Sequence, residues 1–250
     1  MQKPDYALIL SDIHANLPAL EAVLAETKDR NIQSYLVLGD IVGYGPWPNE
    51  TTERVRSLPN LIAIQGNHEA MLVQPEMRSR ANDAAAFSSA WTVDVLKQQH
   101  LDWLTQLPIT VDLKVGVRLV HGGMPKGSER VHYINDHSAS ENLMLAELQN
   151  LRLVLHGHTH VSVVYRRDVI QGRDYKVPGE RVEVLQEEVI DLLNPGSVGL
   201  PREADPRAQY AIWERHTNAI SFHRLAYDHQ SVVKAMGKAG LPTAPARALL

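Results

Sequence analysis

Five short apolar runs in this chain each stop abruptly at a cluster of side chains able to bind a metal, and no other feature restricts the fold as much. "YALIL" (6–10) leads into Ser11-Asp12-Ile13-His14, "YLVL" (35–38) into Gly39-Asp40, and "LIAIQ" (61–65) into Gly66-Asn67-His68-Glu69. "VRLV" (117–120) leads into His121-Gly122-Gly123, and "LRLVL" (151–155) into His156-Gly157-His158-Thr159-His160. Such runs have strand length, and the segments between several of them carry apolar residues at helical spacing. Strands alternating with amphipathic helices predict an α/β fold. In α/β sheets the loops beyond the carboxyl ends of strands converge on one crevice, so five polar ends are five contributions to one site. A glycine in four of the five clusters (Gly39, Gly66, Gly122, Gly157) lets the backbone turn sharply and approach a bound group.

The pattern predicts strands at 6–10, 34–38, 61–65, 151–155, 161–166, 181–185, 188–193, 209–213 and 219–225. A hairpin is expected over 109–120, turning near Val115-Gly116, and helices over 17–30, 48–58 and 138–150. Residues 69–107 are Ala-rich and polar with no β run, and read as a helical insertion whose tryptophans pack into a core. The Ala- and Pro-rich end, about 230–250, reads as a peripheral helix or tail, and no repeat or linker divides residues 1–250 into more than one domain.

Composition removes several classes of function. The 250 residues contain no cysteine, which excludes disulfides, thiolate metal sites and a cysteine nucleophile. A net charge of -4 and the lack of a Lys/Arg-rich run argue against nucleic acid or an anionic membrane as partner. No stretch approaches the roughly 20 apolar residues of a spanning helix. The apolar part of the first ten residues is too short for a signal peptide, so a cytoplasmic location is expected. No motif sets the oligomeric state.

The clusters offer carboxylate, amide and imidazole but no thiolate, a donor set that suits Mn²⁺, Fe²⁺, Zn²⁺ or Co²⁺. Seven such side chains are too many for one tetrahedral ion and suit two ions, roughly 3.5–4 Å apart, sharing a carboxylate.

In order along the chain, "DIH" (12–14), "GD" (39–40), "GNHE" (66–69), "HGG" (121–123) and "GHTH" (157–160) resemble the blocks of the calcineurin-like metallophosphoesterase superfamily. The resemblance implies a four-layer α/β/β/α sandwich of two mixed β-sheets with the metals at one edge. It implies that Asp12, His14, Asp40 and His160 hold one divalent metal ion and that Asp40, Asn67, His121 and His158 hold a second. Mn²⁺ is the first expectation, with Fe, Zn²⁺, Co²⁺ or Ni²⁺ as alternatives. His68 is implied to act at the leaving-group oxygen rather than to ligate, while His156 lies outside the motif and is expected to pack or support. The implied reaction is in-line attack on phosphorus by a hydroxide held between the two ions.

The departures narrow the substrate. Phosphoprotein phosphatases and symmetrical diadenosine tetraphosphatases carry Gly-Asp-x-x-Asp-Arg-Gly, whereas here "GDIVGYG" sets Gly43 and Tyr44 where Asp and Arg would stand, and Gln65 replaces an arginine before the "GNHE" block. The chain is closer to the small bacterial and archaeal phosphoesterases. A phosphodiester or nucleotide, dinucleoside polyphosphates included, is the expected small-molecule partner. Asn16, Tyr44 and Arg202 are the expected substrate contacts, with Arg202 replacing the missing arginines. A non-catalytic scaffold on the same fold and a nuclease are the alternative readings.

Overall fold

The computed structural model describes residues 5–114, 116–124 and 132–247; Val115 of the expected hairpin turn and residues 248–250 of the expected tail lie outside them. The chain begins β1 (Tyr6–Leu10), α1 (Leu17–Thr27), β2 (Ile32–Val37), α2 (Pro48–Arg56) and β3 (Leu61–Ala63). Four helices follow, α3 (Asn67–Val73), α4 (Pro75–Arg78), α5 (Asp83–Val95) and α6 (Gln98–Thr105), then β4 (Thr110–Lys114), β5 (Val117–Val120), α7 (Ala139–Leu148) and β6 (Leu153–Leu155). The remainder is β7 (Ser162–Asp168), β8 (Arg173–Lys176), β9 (Arg181–Glu183), β10 (Val189–Pro195), β11 (Ala208–Glu214), β12 (Ala219–Leu225), α8 (His229–Lys238) and α9 (Ala244–Arg247).

The strands form two six-stranded sheets, ordered β3-β2-β1-β11-β12-β9 and β4-β5-β6-β10-β7-β8. Both are mixed. In the first, β1–β2 and β2–β3 pair in parallel through the α1 and α2 crossovers, while β11 joins β1 antiparallel. In the second, β5–β6 and β6–β10 are parallel and the outer pairs antiparallel.

Period-2 alternation explains the layering. Along β1, Ala7 and Ile9 enter the core shared with Leu119, Leu153, Leu155 and Leu193 of the other sheet. Leu8 and Leu10 point the opposite way and pack with Ala19, Leu20 and Val23 of α1. On the far side of the second sheet, Val154 and Leu192 meet Leu143 and Ala146 of α7. The order is helices, sheet, sheet, helix: the four layers anticipated from the motifs. Each fully buried Leu or Ile in these layers contributes roughly 1.5–3 kcal/mol relative to an exposed one.

Two details differ from the sequence reading or refine it. β8, "RDYK", has no apolar run and was not anticipated; it is held by cross-strand chemistry, with Arg167 Nη1 donating to Asp174 at 2.8 Å and Lys176 lying over the Tyr165 ring. The C-terminal region forms α8, whose Val232 and Met236 pack against Trp47 and Trp91. Trp103 packs on the helix side of the first sheet, with Arg56 over its ring.

Candidate metal centre

The loops that leave β1, β2, β3, β5 and β6 are stitched together by main-chain hydrogen bonds. Asp12 N–H donates to Gly39 O at 3.1 Å, His14 N–H to Asp40 O at 2.9 Å, and Gly157 N–H to His121 O at 2.8 Å. Tight turning has a backbone cost. Asp12, His14, Asp40, His158 and His160 all have φ between 50° and 68°, a left-handed conformation rare for residues other than glycine. Concentrated strain of this kind marks functional sites that the surrounding fold over-determines. Gly66 permits a close approach, because a Cβ there would lie 2.2 Å from Asp40 Oδ1.

Asp12, His14, Asp40 and His160 bring one ligand-type atom each to within 4.8 Å of one another, and so do Asp40, His121 and His158. Asp40 belongs to both groups, so six of the seven expected ligand positions come together, and Asn67 lines the same cavity as Asp40, His158 and His160. The Asn67 Oδ1 is buried and has no hydrogen-bond partner, which leaves it free to accept a cation.

Three of the histidines are oriented from behind. His14 Nδ1 lies 3.2 Å from Val42 O, His121 Nδ1 2.6 Å from Leu38 O, and His160 Nδ1 2.5 Å from Leu200 O. A carbonyl can only accept, so each Nδ1 must carry the proton and each Nε2 is turned inward. His14 Nε2 and His160 Nε2 then face each other at 3.1 Å, and His160 Nε2 lies 3.3 Å from Asp12 Oδ1. Burial pushes the His14 pKa well down and that of His160 to about 3, so neither ring readily takes a second proton. Two opposed lone pairs beside carboxylates need a positive charge between them, and a divalent cation supplies it. The residues therefore fit metals.

The carboxylates are prepared differently. Asp12 accepts from Ser11 Oγ at 2.6 Å and from His158 N, yet burial pushes its pKa up to about 7. Burial alone would raise Asp40 as well, but the His121 and His68 imidazoles hold its carboxyl well below the ordinary range. Conversely Asp40, 3.1 Å from His121 Nε2, pulls His121 up to about 10 against the effect of burial.

His68 opens α3 beside the cluster. Its backbone N–H donates to Asp40 Oδ1 at 2.9 Å, its ring packs against His14 and Tyr44, and its Nδ1 is buried with no hydrogen-bond partner. Position 43 bears glycine rather than an orienting carboxylate, and a Cβ there would lie 2.1 Å from His68 Nδ1. The His68 ring is bordered instead by the His14 and Tyr44 rings.

Tyr44 and Arg202 border a cavity of about 420 Å³ that also exposes Asp40, Asn67, His68, His158 and His160. Asn16 does not border it. The Asn16 side chain is 2% exposed, caps α1 by accepting from Ala19 N, and donates to Gly199 O and Tyr227 Oη. Its polar capacity is taken up inside the fold, so the expected substrate contact is corrected to a structural one. Gln65 is likewise turned to the carbonyls at the end of α6. His156 is fully buried behind the "GHTH" loop, as its place outside the motif suggested.

Sequence reasoning missed three contributors. Glu69 accepts four backbone N–H groups, from Asp40, Ile41, Val42 and Gly66, at 2.8–3.1 Å, and so clamps two loops together. Its signal was present: an acid three residues after the residue before a helix is capping-box spacing. Asn194 holds the "GHTH" loop through Gly157 O at 2.8 Å and Thr159 Oγ1 at 3.0 Å. Tyr133 stacks on His158, ring centroids 4.2 Å apart, and no motif pointed to it.

A family model for calcineurin-like phosphoesterases matches residues 7–162. The chain belongs to this family of metal-dependent phosphate-ester hydrolases. A metallophosphoesterase from Sphaerobacter thermophilus superposes with a TM-score of 0.81 at 36% identity, covering 98% of each chain. An uncharacterized protein of Methanocaldococcus jannaschii is 32% identical over 240 residues, 94% of this chain and 93% of its own length. Phosphodiesterase YfcE of Escherichia coli K12 is 23% identical over 235 residues, 90% of this chain and 94% of that protein. Among the described residues, no helix is long and apolar enough to cross a membrane.

Proposed function

We propose that this chain is a phosphodiesterase that uses two divalent cations, Mn²⁺ first among them, on a small phosphodiester or nucleotide. Asp12, His14, Asp40 and His160 would hold one ion, and Asp40, Asn67, His121 and His158 the other, with Asp40 shared. The single observation that carries the reading is the pair His14 and His160, whose inward nitrogens face each other at 3.1 Å with their outer nitrogens committed to carbonyls. Bound ions of this type supply charge stabilisation for a phosphoryl group and a water acidic enough to react near neutral pH.

The protein groups would complete the chemistry. Arg202, exposed at the rim of the cavity, neutralises phosphate charge and replaces the arginines absent at positions 44 and 65. Tyr44 fixes the His68 ring by packing against it. Burial lowers the pKa of His68, although Asp40 opposes the shift. In this reading His68 would donate to the leaving oxygen, with Asp40 and the anionic substrate beside the ring favouring its proton. The diester preference draws on the likeness to Phosphodiesterase YfcE and on the missing arginines.

The test compares bis(p-nitrophenyl) phosphate with p-nitrophenyl phosphate, using protein stripped by chelator and then reloaded. Hydrolysis should vanish on stripping, return best with Mn²⁺ and favour the diester. An unchanged rate after exhaustive chelation would refute metal dependence, and a strong preference for the monoester would overturn the substrate assignment.

A further inference from the structure

The cavity beside the metal centre is larger than a phosphate needs. It measures about 420 Å³. A phosphate group occupies only a few times the ~30 Å³ that one water takes in the liquid, so most of the space is left for something attached to it. One end of the cavity is the proposed phosphate site, with Asp40, Asn67, His68, His158 and His160 exposed to it. Apolar groups line the same cavity: Met71, one turn beyond His68 on α3, with Met77 of α4, Ala81, and Ala85 of α5. Gln74, Glu76, Arg80 and Asn82 add polar and charged groups to the lining.

Two aromatic rings complete the enclosure. Tyr44 is buried beside His68, and Tyr133 lies nearly parallel to the His158 ring, at 20° and 4.2 Å, with 45% of its surface still exposed. Thioether and aromatic groups together favour a flat, polarisable occupant, and amide and guanidinium groups suit one with a hydrogen-bonding edge.

Resting on the phosphoesterase reading of the metal centre, we propose that the helices between β3 and β4 build a subsite for a nucleobase-sized planar ring borne by the substrate's phosphate, against Met71, Met77 and Ala81 and beside Tyr133. The subsite makes this a nucleotide-selecting enzyme. Its specificity then resides in the Ala-rich helical segment rather than in the metal ligands.

The experiment measures binding of adenosine 5′-monophosphate, glycerol 3-phosphate and inorganic phosphate to the Mn²⁺-loaded protein by calorimetry. Adenosine monophosphate should bind at least about tenfold more tightly than either of the others, the scale of one base stacked on an aromatic ring. Ala81→Trp, which fills the cavity, should erase that ratio, and Met77→Ala should reduce it if Ala81→Trp does not fold. Equal binding of the three ligands overturns the proposal, as does an adenosine monophosphate advantage that survives both substitutions. A gain for glycerol 3-phosphate equal to that for the nucleotide overturns it too, since the cavity would then select no ring. Turnover on bis(p-nitrophenyl) phosphate is scored separately. Its absence counts against the phosphodiesterase reading, whereas turnover with no nucleotide advantage counts against the subsite alone.

Discussion

At the scale of single residues, His68 is separable from the proposed metal ligands. It faces the same cavity as Asp40 and His158, but it belongs to neither ligand-atom group. His68→Ala should therefore keep its metal, measured by elemental analysis, and lose roughly 10²–10⁴-fold in kcat, the usual contribution of a positioned acid. Loss of bound metal instead would make His68 a ligand. Gly43 is the complementary case, with φ of 89° and a would-be Cβ 2.1 Å from His68 Nδ1. Gly43→Ala should lower stability by more than the ~1 kcal/mol that left-handed backbone alone costs. It should also displace the His68 ring and depress kcat, so a variant with wild-type melting and turnover would contradict the packing described. Residue identity told which side chains matter here, but not what Asn16 does, because a buried amide is claimed by whichever carbonyl the fold brings to it.

At the scale of elements, the ligand loops depend on groups set behind them. Asn194 received no role from the sequence, yet from β10 it holds Gly157 O and Thr159 Oγ1 and accepts from Gly196 N. Asn194→Ala should weaken metal affinity by about 10–100-fold, as loss of an outer-shell partner does elsewhere. Equilibrium titration with a fluorescent metal competitor measures the change, and an unaltered affinity would show the loop to be self-supporting. Glu69 plays the same part for the loops after β2 and β3. Glu69→Gln, which leaves one carboxylate-type acceptor where two served four N–H groups, should cost about 3 kcal/mol in urea unfolding. The amphipathic helices and apolar strands were legible from periodicity. β8 was not, since its stability comes from pairing with β7 and from ion pairs rather than from an apolar face.

For the whole molecule, the centre joins loops from both sheets, so metal binding is also folding energy. Metal at a hundredfold excess over its Kd stabilises by about 2.7 kcal/mol, which in a chain of this size should raise Tm by about 5–10 °C. Differential scanning calorimetry with and without Mn²⁺ checks it, and coincident transitions would deny the link between site and fold. The pH dependence follows from the shifted groups. In the metal-free protein, His121 with a pKa up at about 10 is protonated at neutral pH, and Asp12, raised to about 7, is partly so. His14, His158 and His160 have lowered values and carry no second ring proton to lose. Metal uptake near pH 7 must expel protons from His121 and Asp12, so affinity should rise with pH. Titration in buffers of different ionisation enthalpy should detect the release, and buffer-independent heats would contradict it.

The sequence by itself determined the layers and the ligand-type side chains that gather beyond the strand ends. Alternating apolar residues bury one way or the other by the geometry of a strand, and polar groups at strand ends have one crevice to converge on. The order of "DIH", "GD", "GNHE", "HGG" and "GHTH" therefore carried the centre before any coordinates. Only the tertiary structure decided which imidazole nitrogen faces inward, because the carbonyls of Val42, Leu38 and Leu200 that fix it are 28, 83 and 40 residues away from their histidines. It also decided that Asn16 supports the loops rather than the substrate, and that Tyr133 lies over His158. Such contacts depend on where distant segments land, and local periodicity holds no record of that.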